Sequence, residues 1–109
     1  MQVQVAIVGA GPAGLTLALL LERAGIECVV LEARSREYVE KRVRAGLLEQ
    51  NTVDVLHELD VADRLDREGL DHTGVFLRFR EREFHVDMRR LTGRTITIYG
   101  QQELSLIHI

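Results

Sequence analysis

The chain opens on Gln2-Val3-Gln4-Val5-Ala6-Ile7-Val8, an alternation that becomes apolar on both faces by its end. A strand buried in a parallel sheet carries that pattern. Gly9-Ala10-Gly11-Pro12-Ala13-Gly14 follows directly, and Leu15 to Ala24 is then apolar nearly all round until Gly25. This predicts a helix stopped by Gly25, with Pro12 in its first turn, where the missing N–H has no helical partner to lose. Ile26 to Leu31 is a second apolar run, closed by Glu32. Strand, glycine turn, helix and strand make a βαβ unit, the start of a parallel sheet in an α/β, Rossmann-like fold.

Beyond Glu32 the apolar periodicity lapses. Residues 34–44 carry Arg34, Arg36, Lys41, Arg42 and Arg44 and are expected to form a loop. Helical spacing returns near Leu47, with Leu48, Thr52, Val55, Leu56 and Leu59 on one stripe. Val61 to Glu68 predicts a short helix ended by Gly69. From His72 the period changes to two, through Val75, Leu77 and Phe79 and then Phe84, Val86 and Met88. An antiparallel hairpin insertion turning at Glu81-Arg82 is expected. Thr95 to Tyr99 predicts a last strand, leading into Gly100-Gln101-Gln102.

Composition narrows the function classes. The 109 residues allow one small domain, and 46% hydrophobic content excludes wholesale disorder. Lys and Arg number 14 against 17 Asp and Glu, a net charge of -3, which argues against a nucleic-acid or anionic-membrane binder. No apolar run approaches the about 18 residues of a membrane span, and no signal peptide is evident. Cys28 alone forms neither an internal disulfide nor a cysteine-rich metal site. The expectation is a soluble, cytoplasmic protein without metal.

Gly9, Gly11 and Gly14 fit G-x-G-x-x-G at a strand-to-helix junction. Such glycines permit a tight turn, backbone approach to a pyrophosphate and close helix–strand packing, with helix N–H groups facing the phosphates. Glu32 stands 18 residues after Gly14, where an acid accepts hydrogen bonds from a ribose. An incidental glycine turn is the plainer alternative, but the whole context in register favours a dinucleotide. FAD and NAD both remain open at this site; NADP would bind elsewhere, because Glu32 suits a free 2′-hydroxyl. Arg42 and Arg44, two apart on an extended segment, share a side and suit a pyrophosphate, although from spacing alone a solvated basic loop is the better reading. His57, His72 and His85 lack partners at metal-ligand spacing and read as surface or structural residues. Cys28, inside a strand, reads as packing. The arginines from Arg78 to Arg94 alternate with Glu81, Glu83 and Asp87, a charged face without the interleaved aromatics of a nucleic-acid patch.

Arg42-Val43-Arg44-Ala45-Gly46-Leu47-Leu48-Glu49-Gln50 closely resembles the flavoprotein aromatic hydroxylases, and among them those acting on 4-hydroxybenzoate. The resemblance runs from residue 1 to about 103, through Val5 to Pro12, Tyr38-Val39, Asp66-Arg67-Glu68-Gly69-Leu70 and Ile98-Tyr99-Gly100-Gln101. It implies the N-terminal part of an FAD-binding domain. Gly9, Gly11, Pro12, Ala13 and Gly14 would hold the FAD pyrophosphate and Glu32 its ribose. Arg42 and Arg44 would lie near the phosphates, the backbone from Arg44 to Leu47 beside the flavin, and Gln101 near the ribityl chain or phosphates. Arg34, Tyr38 and Arg44 would serve NADPH or NADH, the co-substrate. The implied reaction is O2-dependent ortho-hydroxylation of 4-hydroxybenzoate to protocatechuate by a homodimer, with the substrate-binding residues further along the chain. Ala13 and Ala33 depart from the serine and arginine common in the family, and Ala33 leaves the choice between NADPH and NADH open.

Leu104-Ser105-Leu106-Ile107-His108-Ile109 departs further, where the family continues into a polar helix. The hexamer resembles a translated transposon-end sequencing adapter, so residues 104–109 are expected to be a non-native tail on a truncated domain. The alternatives are a hydroxylase of another phenol, a flavin-free NAD-dependent oxidoreductase, and a 109-residue product that is itself inactive.

Overall fold

The computed structural model describes residues 2–44 and 46–107. Strand β1 (Val5–Val8) pairs in parallel with β2 (Cys28–Leu31), Val5 opposite Cys28 and Val8 opposite Leu31, and helix α1 (Pro12–Arg23) crosses between them. This is the expected βαβ unit. Helix α1 ends at Gly25, whose φ of 71° is the left-handed conformation that glycine adopts without a steric penalty.

Residues 34–44 are not simply a loop. Helix α2 (Arg36–Lys41) forms there, because the Ser35 hydroxyl accepts the Tyr38 N–H at 3.2 Å and caps its start. Two i,i+4 pairs, Arg36–Glu40 at 2.5 Å and Lys41–Glu37 at 2.6 Å, support it. The helix buries no side chain, which is why apolar periodicity does not reveal it.

Leu47 and Leu48, expected to open a helix, belong instead to β3 (Leu47–Glu49); helix α3 (Gln50–Glu58) starts after it. Helix α4 (Asp63–Glu68) leads into β4 (Leu70–His72), a strand too short to show alternation. Both strands pair antiparallel with β7 (Ile96–Ile98), Leu48 and Asp71 flanking Thr97. The core lies against this three-stranded sheet and comprises Leu48, Val53, Leu56, Ala62, Leu65, Tyr99 and Leu104. Val53 occupies the buried stripe where Thr52 was expected, since the helical register begins at Gln50.

The hairpin is present as β5 (Gly74–Phe79) and β6 (Arg82–Asp87). It turns at Arg80 and Glu81, both with positive φ (46° and 61°), one residue earlier than expected. Met88 does not extend it. The Asp87 carboxylate accepts the Arg90 N–H at 2.8 Å and starts helix α5 (Met88–Thr92). Helix α6 (Gln101–Ile107) continues through the described part of the C-terminal hexamer and buries Leu104.

These units make an elongated molecule. Its radius of gyration is 16.8 Å, whereas a compact domain of about 100 residues has about 13 Å. Only Ile7 of β1 is buried, Val8 is 88% exposed, and Phe76, Phe79 and Phe84 of the hairpin are exposed. The two strands expected to be buried thus lack cover on one face.

Leu56 is 1% exposed at the centre of the core. Leu56→Ala is expected to destabilise the chain by about 2–5 kcal/mol, whereas Leu91→Ala, at an exposed position, should change stability by about 0.5 kcal/mol or less. Urea unfolding followed by circular dichroism measures both.

Candidate functional site

The glycine turn converts β1 into α1 by a close approach. Gly9 has φ 110°, and a Cβ on Gly14 would collide with the Gly9 carbonyl oxygen and press on the Ile7 side chain. A Cβ on Gly11 would instead meet nothing within 4 Å, so that side of the turn is open to a ligand. Gly11 is the N-cap of the 12-residue α1, and no side chain caps this end. The N–H groups of its first turn are therefore available to an anion.

Glu32 braces the turn from β2. Its Oε2 accepts the Ala10 N–H at 2.8 Å, and its Oε1 accepts the Arg34 N–H at 2.8 Å. The bond from Ala10, then that from Arg34, holds this carboxyl below its ordinary range. Each oxygen keeps a further lone pair for a ligand hydroxyl.

A cleft of about 180 Å³ opens beside these groups. Gly11, Pro12, Glu32, Arg34, Tyr38, Arg42, Arg44 and Gln101 all line it, although they come from four separate stretches of chain. Val39, which the sequence pattern did not single out, lines it too. The guanidiniums of Arg34 and Arg42 lie 5.2 and 5.6 Å from the Tyr38 ring centroid. Neither makes an ion pair among the described residues, so both keep their charge for a ligand.

The other expected residues lie apart from the cleft wall. Ala13 faces α3, in a groove shared with Thr16, Leu17 and Thr52. Val43 and Leu47 are exposed. Gly46 is packed on Tyr99 and Gly100, its carbonyl accepting the Tyr99 N–H at 3.0 Å. Ala45 lies outside the described residues. Among the described residues no histidine reaches the cleft: His57 pairs with Asp66 at 3.1 Å, His85 stacks on Phe76 with centroids 4.6 Å apart, and His72 lies in β4. Among the described residues no cluster of three His, Cys, Asp or Glu side chains could hold a metal, and no helix is long and apolar enough to cross a membrane.

A turn open at Gly11, an uncapped helix N-terminus, a carboxylate at the end of β2 and unpaired guanidiniums suit a ribose linked to a pyrophosphate. Residues 2–107 match the family described as FAD binding domain. The chain belongs to that family. Over 106 residues it is 47% identical to p-hydroxybenzoate hydroxylase of Acinetobacter baylyi, covering 96% of this chain and 26% of that protein. It is 44% identical over 69 residues to 3-amino-4-hydroxybenzoate 2-monooxygenase of Streptomyces cremeus, covering 62% of this chain and 17% of that protein. Among solved structures, p-nitrophenol 4-monooxygenase PnpA of Pseudomonas putida superposes with a TM-score of 0.79 at 25% identity, over 95% of this chain and 27% of that one. PqsL of Pseudomonas aeruginosa superposes at 0.85 and 21% identity, over 97% and 29%, and shares the fold. The FAD-binding domain described here thus spans about a quarter of the length of these relatives, which are monooxygenases and hydroxylases by name.

The sign of the Glu32 effect fixes a pH dependence. A carboxyl held low in the folded state adds stability that is complete above its unfolded range and is lost as pH falls through the folded value. The stability difference between the parent chain and Glu32→Gln should therefore be constant near neutrality and shrink as pH drops through and below the ordinary carboxylate range. Urea midpoints of both proteins between pH 7 and pH 3 (about one unit apart) measure it. A difference that does not change with pH would show that the carboxylate charge is not what holds the turn.

Proposed function

We propose that this domain is the FAD-binding portion of an aromatic hydroxylase that converts 4-hydroxybenzoate, NAD(P)H, O2 and a proton into protocatechuate, NAD(P)+ and water. The observation that carries the proposal is the convergence of Arg42 and Arg44, from the run resembling 4-hydroxybenzoate hydroxylases, on the cleft bounded by Gly11 and Glu32. The 47% identity to p-hydroxybenzoate hydroxylase supports the same reading. FAD, when bound, supplies the redox chemistry.

The chain's own groups bind and orient. The first-turn N–H groups of α1, with Arg42, would neutralise the pyrophosphate, and Glu32 would accept from the adenosine ribose. Gln101 would hold the ribityl or phosphate region, and the Gly46–Leu47 backbone would flank the flavin. Arg34, Tyr38 and Arg44, which line the same cleft, would meet the nicotinamide co-substrate. The 3-amino-4-hydroxybenzoate relatives support a second substrate, a 4-hydroxybenzoate bearing a 3-amino group.

A domain exchange tests the proposal. Residues 2–103 of this chain replace the matching segment of the Acinetobacter baylyi enzyme. The chimera is expected to purify with flavin absorbance and to consume NAD(P)H in proportion to protocatechuate formed. A well-folded chimera that stays colourless in added FAD would overturn the cofactor reading. Faster turnover on 3-amino-4-hydroxybenzoate, with the activity carried by the complete coding region of this protein, would favour the second substrate. The 109-residue chain alone is expected to bind FAD weakly and release it on desalting, because it spans about a quarter of the length of its relatives.

A further inference from the structure

Four side chains behind the cleft form a connected polar group. Tyr99, 4% exposed, donates its hydroxyl to Glu68 Oε2 at 3.4 Å. Arg64 on α4 grips the same carboxylate, with Nε 3.1 Å from Oε2 and 3.2 Å from Oε1. Nη2 of the same guanidinium forms an ion pair with Glu103 Oε2 on α6. That oxygen is buried and has no hydrogen-bond partner, so the charge of Arg64 is what compensates it. None of Arg64, Glu68, Tyr99 and Glu103 lines the cleft.

Their places along the chain give the group a consequence. Tyr99 and Glu103 bracket Gln101, two residues to either side. On the Tyr99 side, the backbone N–H holds Gly46 at 3.0 Å, beyond which the chain runs back to Arg44 and Arg42. On the Glu103 side, the first turn of α6 is closed by Leu104 N–H donating to the Gly100 carbonyl at 3.0 Å. Helix α6 packs in turn against α2, which carries Tyr38, and against α1.

We propose that Arg64 is a positioning residue for the cofactor cleft: by spanning Glu68 on α4 and Glu103 on α6, it fixes the first turn of α6 and so places Gln101 at the cleft wall. The step from Gln101 to FAD rests on the functional reading above; the step from Arg64 to α6 does not. A guanidinium suits this role because its plane holds the Nε and Nη2 donors in fixed directions toward the two carboxylates, whereas an ammonium is a point charge with rotatable donors. Tyr99 reports on the arrangement. Burial foremost, with the carboxylates of Glu68 and Glu103, pushes its phenol above the ordinary value, and Arg64 opposes that shift.

The test compares the 109-residue chain with Arg64→Lys, Arg64→Met and Glu103→Gln. Hydrogen exchange of the Leu104 amide, whose bond to the Gly100 carbonyl closes the first turn of α6, is expected to quicken about tenfold in all three variants, the size of one contact-level coupling, while α3 amides stay unchanged. Tyr38 and Tyr99 are the two tyrosines and there is no tryptophan, so ultraviolet titration near ~295 nm isolates the phenols. The Tyr99 midpoint should rise in Arg64→Met. In the domain-exchange chimera, FAD titrated by fluorescence quenching should bind about tenfold more weakly when Arg64→Lys is present. Unchanged exchange of the Leu104 amide in folded Arg64→Lys and Glu103→Gln proteins overturns the proposal. Quickened Leu104 exchange with no FAD quenching in the chimera or its Arg64→Lys form upholds the positioning of α6 and instead sinks the assignment of the cleft to FAD.

Discussion

The Glu32 carboxylate joins the two ends of the βαβ unit. One oxygen takes the Ala10 N–H in the glycine turn, and the other takes the Arg34 N–H beyond β2. Without an acceptor there, the peptide groups of a tight turn would face the cleft unpartnered, and the entry to α1 would have no fixed relation to the basic segment after β2. The rest of the cleft is built outward from this brace. Ser35 caps α2 three residues on, α2 presents Tyr38, and Arg42 and Arg44 follow on extended chain. The same carboxylate thus sets the geometry of the glycine turn and keeps acceptor capacity on both oxygens.

A second feature is the distribution of apolar surface. The core is concentrated around α3, α4 and the β3–β7–β4 sheet, where Leu56 and Leu65 are fully enclosed. The βαβ unit and the hairpin instead leave Val8, Leu31, Phe76 and Phe79 in contact with solvent. Exposed apolar strand faces of this kind are ordinarily covered by further structure. This agrees with a chain that spans about a quarter of the length of its relatives.

Much of the site was legible because its chemistry is local. The glycine spacing, Pro12 and the acid closing the second strand are set by steric rules acting over a few residues. The Arg42–Gln50 run carried the family resemblance. Helix α2 escaped notice because it is stabilised by a cap and surface ion pairs and shows no apolar stripe, although Ser35 and the Arg36–Glu40 and Glu37–Lys41 spacings were there to be read. Strands β3 and β4 escaped because three-residue strands have no period of their own; their pairing with β7 makes them strands.

The sequence alone determined the βαβ start, the hairpin, the dinucleotide chemistry of the turn and the flavoprotein kinship, since each depends on near neighbours in the chain. Only the tertiary structure decided that Gly11, Glu32, Tyr38, Arg42 and Gln101 share one cleft, that Gly46 serves close packing on Tyr99, and that Arg64 links α4 to α6. Those contacts join residues tens of positions apart. Their formation depends on how the sheets and helices close around Leu56 and Tyr99, and no local pattern records that closure.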